Sequence, residues 1–224
     1  IGENGGIVMR DGVEVSSSPV DAPTVREVIR LVREATSGPD GIDGGLVMCG
    51  KQFAYVERTD DRFVDGVMPY YHRTKRVDDQ IAIIDAIEAG QIDDAIVKLA
   101  VYVIGPVQAL AQATLANFAD THQYAISGAN WADLQIRGVD KGSAVRDLQR
   151  FLGVDRSQPA VFGDAGNDLS MMSEGDLSFA MANASQDVIE AARFIAPSNN
   201  EAGVAQVLRM LLGSSVLAQS RPLR

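Results

Sequence analysis

The last third of the chain alternates short apolar runs with amphipathic helical patterns. Apolar side chains recur at helical spacing over residues 143–152, and the apolar run Ala160–Phe162 follows after a short polar stretch. Further apolar runs at 177–181 and 194–195 are again separated by helical patterns. Strands that alternate with helices through short loops are typical of a parallel sheet covered by helices. After residue 137 the pattern therefore predicts an α/β unit with a doubly wound parallel sheet.

The first 137 residues mix strands and helices in a less regular order. Ile7–Met9 and Val13–Val15 flank an Arg-Asp-Gly segment, whose Asp-Gly pair predicts a hairpin with a tight turn. Because the rest of this region lacks strict strand–helix alternation, we expect a separate α+β unit here. The predicted helices span residues 24–35, 76–90 and 108–118, and the predicted strands span 46–49, 98–104, 124–127 and 134–136.

Composition and charge narrow the classes of function. The 224 residues are 46% hydrophobic, which supports a real core and excludes a disordered or fibrous chain. The formal net charge of −10 argues against unaided binding to nucleic acid or to an anionic membrane. An anionic small substrate stays possible if a local cation or metal offsets that charge. No apolar run is long enough to span a membrane, and no signal-peptide pattern opens the chain.

Cysteine and histidine are scarce, which limits the metal chemistry. The single cysteine, Cys49, excludes an internal disulfide framework and suits a reducing cytosol, so the protein is predicted to be cytoplasmic. With only His72 and His122 besides, a closed zinc site of Cys and His ligands cannot be assembled. Any metal should therefore be a hard cation with oxygen ligands. For His72, contact with a substrate and a place in a surface aromatic loop both stay open.

Residues 163–168 (Gly-Asp-Ala-Gly-Asn-Asp) follow a predicted buried strand directly. Open α/β sheets bind ligands beyond the carboxyl ends of their strands. Asp164 and Asp168, four residues apart on this turn, could face one Mg²⁺, which takes one or two protein carboxylates plus water and phosphate oxygens. Asn167 adds an amide donor without negative charge. The alternative is ordinary helix capping, since Asn and Asp are favoured at helix starts.

Lys141 and Gly142 directly precede a helix that is predicted to begin at Ser143, and they form the second candidate. An ammonium group beside the free backbone N–H groups of a helix start binds phosphate well. The alternative is a solvated surface lysine. Residues 45–51 match the Gly-x-x-x-x-Gly-Lys spacing of a P-loop, but Gln52 replaces the Ser or Thr that binds Mg²⁺. We interpret that match as coincidence, because its interior residues are typical of a buried strand.

Taken together, these segments resemble one family. Residues 141–144 (Lys-Gly-Ser-Ala) and 162–171 (Phe-Gly-Asp-Ala-Gly-Asn-Asp-Leu-Ser-Met) are similar to the haloacid dehalogenase-like phosphatases, in the Cof-type subgroup with a class IIB cap. Residues 180–184, 198–204 and the Glu-Asn-Gly-Gly stretch at 3–6 extend the resemblance over essentially the whole chain.

The resemblance implies a fold, a domain division and a chemistry. It implies a Rossmann-like core formed by residues 1–14 and 135–224, with an inserted α+β cap at 15–134. The implied activity is Mg²⁺-dependent hydrolysis of a small phosphorylated metabolite, such as a sugar phosphate, through an aspartyl-phosphate intermediate. Asp164 would bind Mg²⁺ with Asp168 assisting, Lys141 would hold the transferring phosphoryl group, and Asn167 would contact the substrate phosphate.

One part of the family pattern is missing from residues 1–224. No Asp-x-Asp-x-Thr motif occurs, although the family uses it for the nucleophile and the acid/base. We therefore expect roughly 40–60 further residues upstream of Ile1, enough for two βα units. Without them, residues 1–224 are predicted to be inactive. The alternatives are a binding or regulatory protein that has lost the nucleophile, and a sugar phosphomutase.

Overall fold

The structure is a computed structural model that describes residues 1–71 and 73–219. The chain divides into two compact units, Ile1–Val139 and Asp140–Arg224. The assignment of residues 1–14 to the same domain as 135–224 stays a prediction.

The first unit begins with the predicted hairpin. Strands β1 (Ile7–Arg10) and β2 (Val13–Ser17) pair antiparallel. Asp11 and Gly12 between them have φ angles of 50° and 79°, the left-handed region that a two-residue hairpin turn with the strand twist requires. The hairpin and the tight turn predicted from the Asp-Gly pair are therefore confirmed.

A six-stranded sheet forms the body of the first unit, in the order β5-β4-β3-β6-β8-β7. Only the β4–β5 pair is parallel among the neighbours of this sheet. The sequence pattern missed β4 and β5, because strands of three residues are too short to show alternation. The strands are β3 (Gly44–Gly50), β4 (Ala54–Val56), β5 (Thr74–Arg76), β6 (Ile96–Val103), β7 (His122–Ile126) and β8 (Trp131–Ile136).

Helices cover both faces of this sheet. One apolar cluster joins α1 (Ala22–Thr36), α3 (Gln80–Glu88) and α4 (Gln108–Ala113) to one face. A second cluster joins α2 (Asp61–Val67) to the other face through Phe63 and Val67. β3 is consequently buried along almost its whole length, so the P-loop-like sequence at 45–51 is largely a core strand. The predicted α+β character of this region is confirmed.

The second unit has the predicted parallel sheet. Strands β9 (Ala160–Gly163), β10 (Leu177–Met181) and β11 (Phe194–Ala196) run parallel in the order β11-β10-β9. The strands alternate with helices along the chain, as the spacing of apolar residues predicts. The helices are α5 (Lys141–Leu152), α6 (Leu169–Met172), α7 (Gln186–Ala191) and α8 (Gly203–Gln219).

The start of α5 differs from the sequence prediction by two residues. The Asp140 carboxylate accepts a hydrogen bond from the Ser143 backbone N–H at 2.7 Å, and Ser143 Oγ accepts one from the Asp140 N–H at 3.0 Å. This reciprocal capping makes Asp140 the N-cap, so that Lys141 is the first residue inside the helix. Lys141 is thereby fixed on a regular element rather than on the preceding loop.

Candidate functional site

The acidic turn, residues 163–168 after β9, is closed by the side chain of Asp168, which reaches back to the backbone at the start of the turn. One oxygen of its carboxylate, Oδ2, accepts hydrogen bonds from the backbone N–H groups of Asp164 at 2.9 Å and Ala165 at 3.3 Å. The turn also depends on Gly163, because a Cβ there would lie 2.6 Å from the Cβ of Asp168. Gly163 thus lets Asp168 approach the end of the strand, and the chain then enters the 3-10 helix Gly166–Asp168 and α6.

The other carboxylate oxygen of Asp168 pairs with Lys141. Lys141 Nζ donates to Asp168 Oδ1, across 27 residues of sequence. The pairing follows from a close approach of α5 to α6 at Gly142, whose N–H donates to Ser170 Oγ at 3.0 Å. A Cβ on Gly142 would lie 2.5 Å from the backbone oxygen of Ser170, so a larger residue would separate the two helices. No role for Ser170 is predicted from the sequence.

The pair is asymmetric in its exposure. The Asp168 side chain is 7% exposed, whereas the Lys141 side chain is 28% exposed. Burial disfavours the charged carboxylate, yet Lys141 and the two backbone N–H groups hold the pKa of Asp168 below its ordinary value. The site therefore contains a carboxylate that stays ionised at neutral pH and orients an ammonium group that solvent can reach.

Asp164 and Asn167 are exposed on the same turn. The backbone oxygen of Asp164 accepts a hydrogen bond from the N–H of Ser185 at 2.9 Å, which ties the turn to the start of α7. Gly166 has no comparable steric constraint, since the nearest atom to a Cβ there would be an Asp187 oxygen at 3.9 Å. The four predicted site residues thus lie on one turn and on the helix start beside it.

The structure shows two contacts of the Asp168 carboxylate that bear on its predicted roles. Its carboxylate caps the 3-10 helix by accepting the Ala165 N–H, as the capping alternative predicts. It also pairs with Lys141, whereas its predicted part in a metal site stays a prediction. Lys141 is consequently a paired, half-buried residue rather than a solvated surface lysine.

The side chains of the acidic turn provide only part of what a metal site needs. Among residues 1–71 and 73–219, no three His, Cys, Asp or Glu side chains are grouped so that they could hold a metal ion. Mg²⁺ takes one or two carboxylates plus water and phosphate oxygens, and the exposed Asp164 carboxylate suits such a ligand. Both oxygens of Asp168 already accept hydrogen bonds. Its place in a metal site stays a prediction.

Two sequence expectations concern other parts of the chain. Within the described residues, no helix combines the length and apolarity needed to cross a membrane. His72, which the sequence left between a substrate contact and a surface loop, lies outside the described residues.

Comparison with known proteins gives the family. The family model for haloacid dehalogenase-like hydrolases matches residues 1–208. The chain belongs to this family. It is 30% identical over 216 residues to the 5-amino-6-(5-phospho-D-ribitylamino)uracil phosphatase YbjI of Escherichia coli, covering 95% of this chain and 73% of that protein.

Solved structures confirm the fold. A haloacid dehalogenase-like hydrolase from Bacteroides thetaiotaomicron superposes with a TM-score of 0.76 at 19% identity, over 93% of this chain and 74% of that one. A sugar phosphatase of haloacid dehalogenase subclass IIB superposes with a TM-score of 0.67 at 16% identity, over 93% and 73% of the two chains. The resemblance to the haloacid dehalogenase-like proteins, drawn from residues 141–144 and 162–171, is confirmed by the family model and by the Escherichia coli relative.

Proposed function

We propose that this haloacid dehalogenase-like protein is a Mg²⁺-dependent phosphoric monoester hydrolase acting on a small phosphorylated metabolite, such as a sugar phosphate. The observation that carries the proposal is the pairing of Lys141 with Asp168 at the tip of β9. The family membership and the phosphatase name of the Escherichia coli relative support it.

In the proposed reaction, Lys141 binds a nonbridging oxygen of the phosphoryl group. Phosphoryl transfer depends on fixed positive charge around the equatorial oxygens, and a cation already oriented before binding loses little entropy. Asp168 acts as a positioning residue, because its buried carboxylate holds the ammonium group from behind. The exposed amide of Asn167 donates a hydrogen bond to a phosphate oxygen.

Asp164 is the residue that we assign to Mg²⁺, with Asp168 supporting the metal site through the turn. When bound, Mg²⁺ supplies Lewis-acid neutralisation of charge on the phosphate oxygens. The Asp164 backbone is held by hydrogen bonds to Asp168 and Ser185, so its side chain starts from a fixed point.

The covalent step needs a nucleophile that residues 1–224 do not provide in the family's Asp-x-Asp-x-Thr form. We assign it to an aspartate outside this segment. Its carboxylate oxygen attacks phosphorus as the ester P–O bond breaks, and the leaving alcohol takes a proton from a neighbouring acid. Water then attacks the aspartyl phosphate, which releases phosphate and restores the carboxylate.

The arrangement of the parallel sheet supports that assignment. Within the described residues, β9 pairs only with β10, so its other edge is open to a further strand. A strand added there would end beside the acidic turn, since parallel strands share their carboxyl ends. Residues 1–224 alone are predicted to release no phosphate.

The test is phosphate release by the full-length protein. Hydrolysis of p-nitrophenyl phosphate and of a sugar phosphate panel is expected, with loss in EDTA and recovery with Mg²⁺. Lys141→Ala and Asp164→Asn should each lower kcat/KM by about 100-fold or more. Arg150→Ala, which removes an exposed cation of the same helix, should match the wild type.

Two results would contradict the proposal. One is full activity in Lys141→Ala or Asp164→Asn, which would remove these residues from the site. The other is a sugar bisphosphate or an isomerised sugar phosphate in place of free phosphate, which would identify a phosphomutase.

A further inference from the structure

The first turn of α5 is attached to the segment that follows β9 at two neighbouring points. Lys141 Nζ donates to Asp168 Oδ1, and the backbone N–H of the next residue, Gly142, donates to Ser170 Oγ at 3.0 Å. Asp168 and Ser170 are close in sequence as well, at the end of the 3-10 helix and within α6. The lysine to which we assign phosphate binding is therefore accompanied by a backbone contact to the same segment.

The Gly142–Ser170 contact satisfies a backbone group that the helix cannot satisfy by itself. The first N–H groups of an α-helix have no partner inside the helix and need an external acceptor. The Asp140 carboxylate accepts the N–H of Ser143, which caps α5 from its own sequence. Gly142 is buried, and its N–H is accepted by a hydroxyl of α6. Ser170 therefore caps α5 and also fixes the start of α5 relative to α6.

The hydroxyl of Ser170 is not needed for the packing of the two helices. A Cβ on Gly142 would lie 2.5 Å from the backbone oxygen of Ser170 and 2.7 Å from its carbonyl carbon, so the close approach involves backbone atoms. Alanine at position 170 would present the same backbone atoms but no acceptor for the Gly142 N–H. Because a buried donor without a partner is costly, the first turn would have to move until this N–H finds water or another acceptor. Lys141 would move with it.

The rest of α5 is held by other contacts. Arg146 pairs with Glu174, and Gln149 Nε2 donates to the backbone oxygen of Glu174 at 2.6 Å. Val145 lies in an apolar cluster with residues of α6. Since none of these contacts uses the Ser170 hydroxyl, we expect a protein without that hydroxyl to fold, with its change confined to the first turn of α5.

We propose that Ser170 is a positioning residue for Lys141. Its hydroxyl holds the first turn of α5 through the Gly142 N–H, so that the ammonium group of Lys141 keeps one position beside Asp168. A cation that is fixed before the ligand arrives loses less entropy on binding a phosphate oxygen than a mobile cation does. This inference rests on the proposed function, because it requires Lys141 to bind phosphate.

A double-mutant cycle tests whether Ser170 acts through the lysine. Inorganic phosphate is titrated calorimetrically, with Mg²⁺, into the full-length wild type, Ser170→Ala, Lys141→Met and the double variant. Ser170→Ala should raise the Kd for phosphate about 5-fold, the size expected for one hydrogen bond. In the Lys141→Met background the same substitution should change the Kd by less than about 2-fold, because the residue that Ser170 positions is then absent.

Ser173→Ala is the matched control. It removes an exposed hydroxyl just after α6, which donates to the backbone oxygen of Ser170 at 3.0 Å, and it leaves the acceptor of the Gly142 N–H in place. Its Kd for phosphate should equal that of the wild type. Thermal melting checks that each variant is folded at the temperature of the titration. A merely structural role of Ser170 would lower the melting temperature without changing the Kd of the folded protein.

Two results would overturn this inference and leave the proposed function standing. One is wild-type phosphate affinity in Ser170→Ala while Lys141→Met binds phosphate about 10-fold more weakly or worse. The other is an equal loss from Ser170→Ala with and without Lys141, which would show that Ser170 acts independently of the lysine. Wild-type phosphate affinity in Lys141→Met is a different result, since it would contradict the proposed function and this inference together.

Discussion

Each of the two units contains a partly buried lysine–carboxylate pair, but the more exposed partner is the lysine in one pair and the carboxylate in the other. In the second unit the cation is the more exposed partner, with Lys141 28% exposed and Asp168 7% exposed. In the first unit the anion is the more exposed partner, with Glu3 24% exposed and Lys98 10% exposed.

This difference shows how the same two side-chain types can present opposite groups to solvent. The enclosed partner fixes the position of the other, and the accessible partner is the one that a ligand could reach. An accessible ammonium held by a buried carboxylate suits phosphate.

The largest loss in the free energy of unfolding is expected on removal of Lys98, the more enclosed of the two lysines. Lys98→Met would leave the carboxylates of Glu3 and Asp133 near each other without their cation, and should lower the free energy of unfolding by about 3 kcal/mol. Lys141→Met should cost about 1 kcal/mol or less, since Asp168 keeps its backbone N–H donors. Urea unfolding of the full-length variants measures both values. Equal losses would show that the two lysines are enclosed to the same degree.

A smaller loss in the free energy of unfolding is expected for substitution of Gly163, the glycine that lets Asp168 approach the end of β9. Gly163→Ala forces a Cβ to 2.6 Å from Asp168 and should cost about 1–3 kcal/mol through overpacking. Gly166→Ala meets no atom closer than 3.9 Å and is the matched control on the same turn. Its free energy of unfolding should stay within about 0.5 kcal/mol of wild type. A larger loss in Gly166→Ala than in Gly163→Ala would contradict the described turn.

The smallest predicted effect is a pH dependence that Asp168 confers on stability. Its folded-state pKa is lowered, so its contribution is fully present above the unfolded value of about 3.9 and is lost as pH falls through the lower folded value. Asp168→Asn should therefore destabilise the protein at pH 7 and do so less at pH 3. The difference between wild type and variant, from urea unfolding at both pH values, measures this contribution. A difference that is unchanged or larger at pH 3 would mean that Asp168 is not stabilised as a carboxylate.

Much of this architecture follows from local patterns in the sequence. The hairpin could be predicted because Asp11-Gly12 needs positive φ angles that few residues adopt. The parallel sheet of the second unit could be predicted because its strands are apolar runs separated by amphipathic helices. β4 and β5 could not, because three residues carry no measurable period.

In the candidate site, too, some features could be predicted from the sequence and others could not. The residue pattern over 163–168 predicts Asp164, Asn167 and Asp168 as site residues. The pairing of Asp168 with Lys141 could not be predicted, because it depends on the approach of α5 to α6, which no local pattern shows. The cluster of Lys98 with Glu3 and Asp133 was missed altogether, although one signal was present. Lys98 stands within an apolar strand, and a buried lysine requires a carboxylate partner. The partners themselves are 95 and 35 residues away along the chain, so the sequence could not name them.

The central claim is that the accessible ammonium of Lys141 binds phosphate, and calorimetric titration of inorganic phosphate into the full-length protein with Mg²⁺ tests it most directly. We expect Lys141→Met to bind phosphate at least 10-fold more weakly than wild type. Lys75→Met, which removes an exposed lysine of the first unit, should bind as wild type does. Equal phosphate affinity in wild type and Lys141→Met would contradict the account.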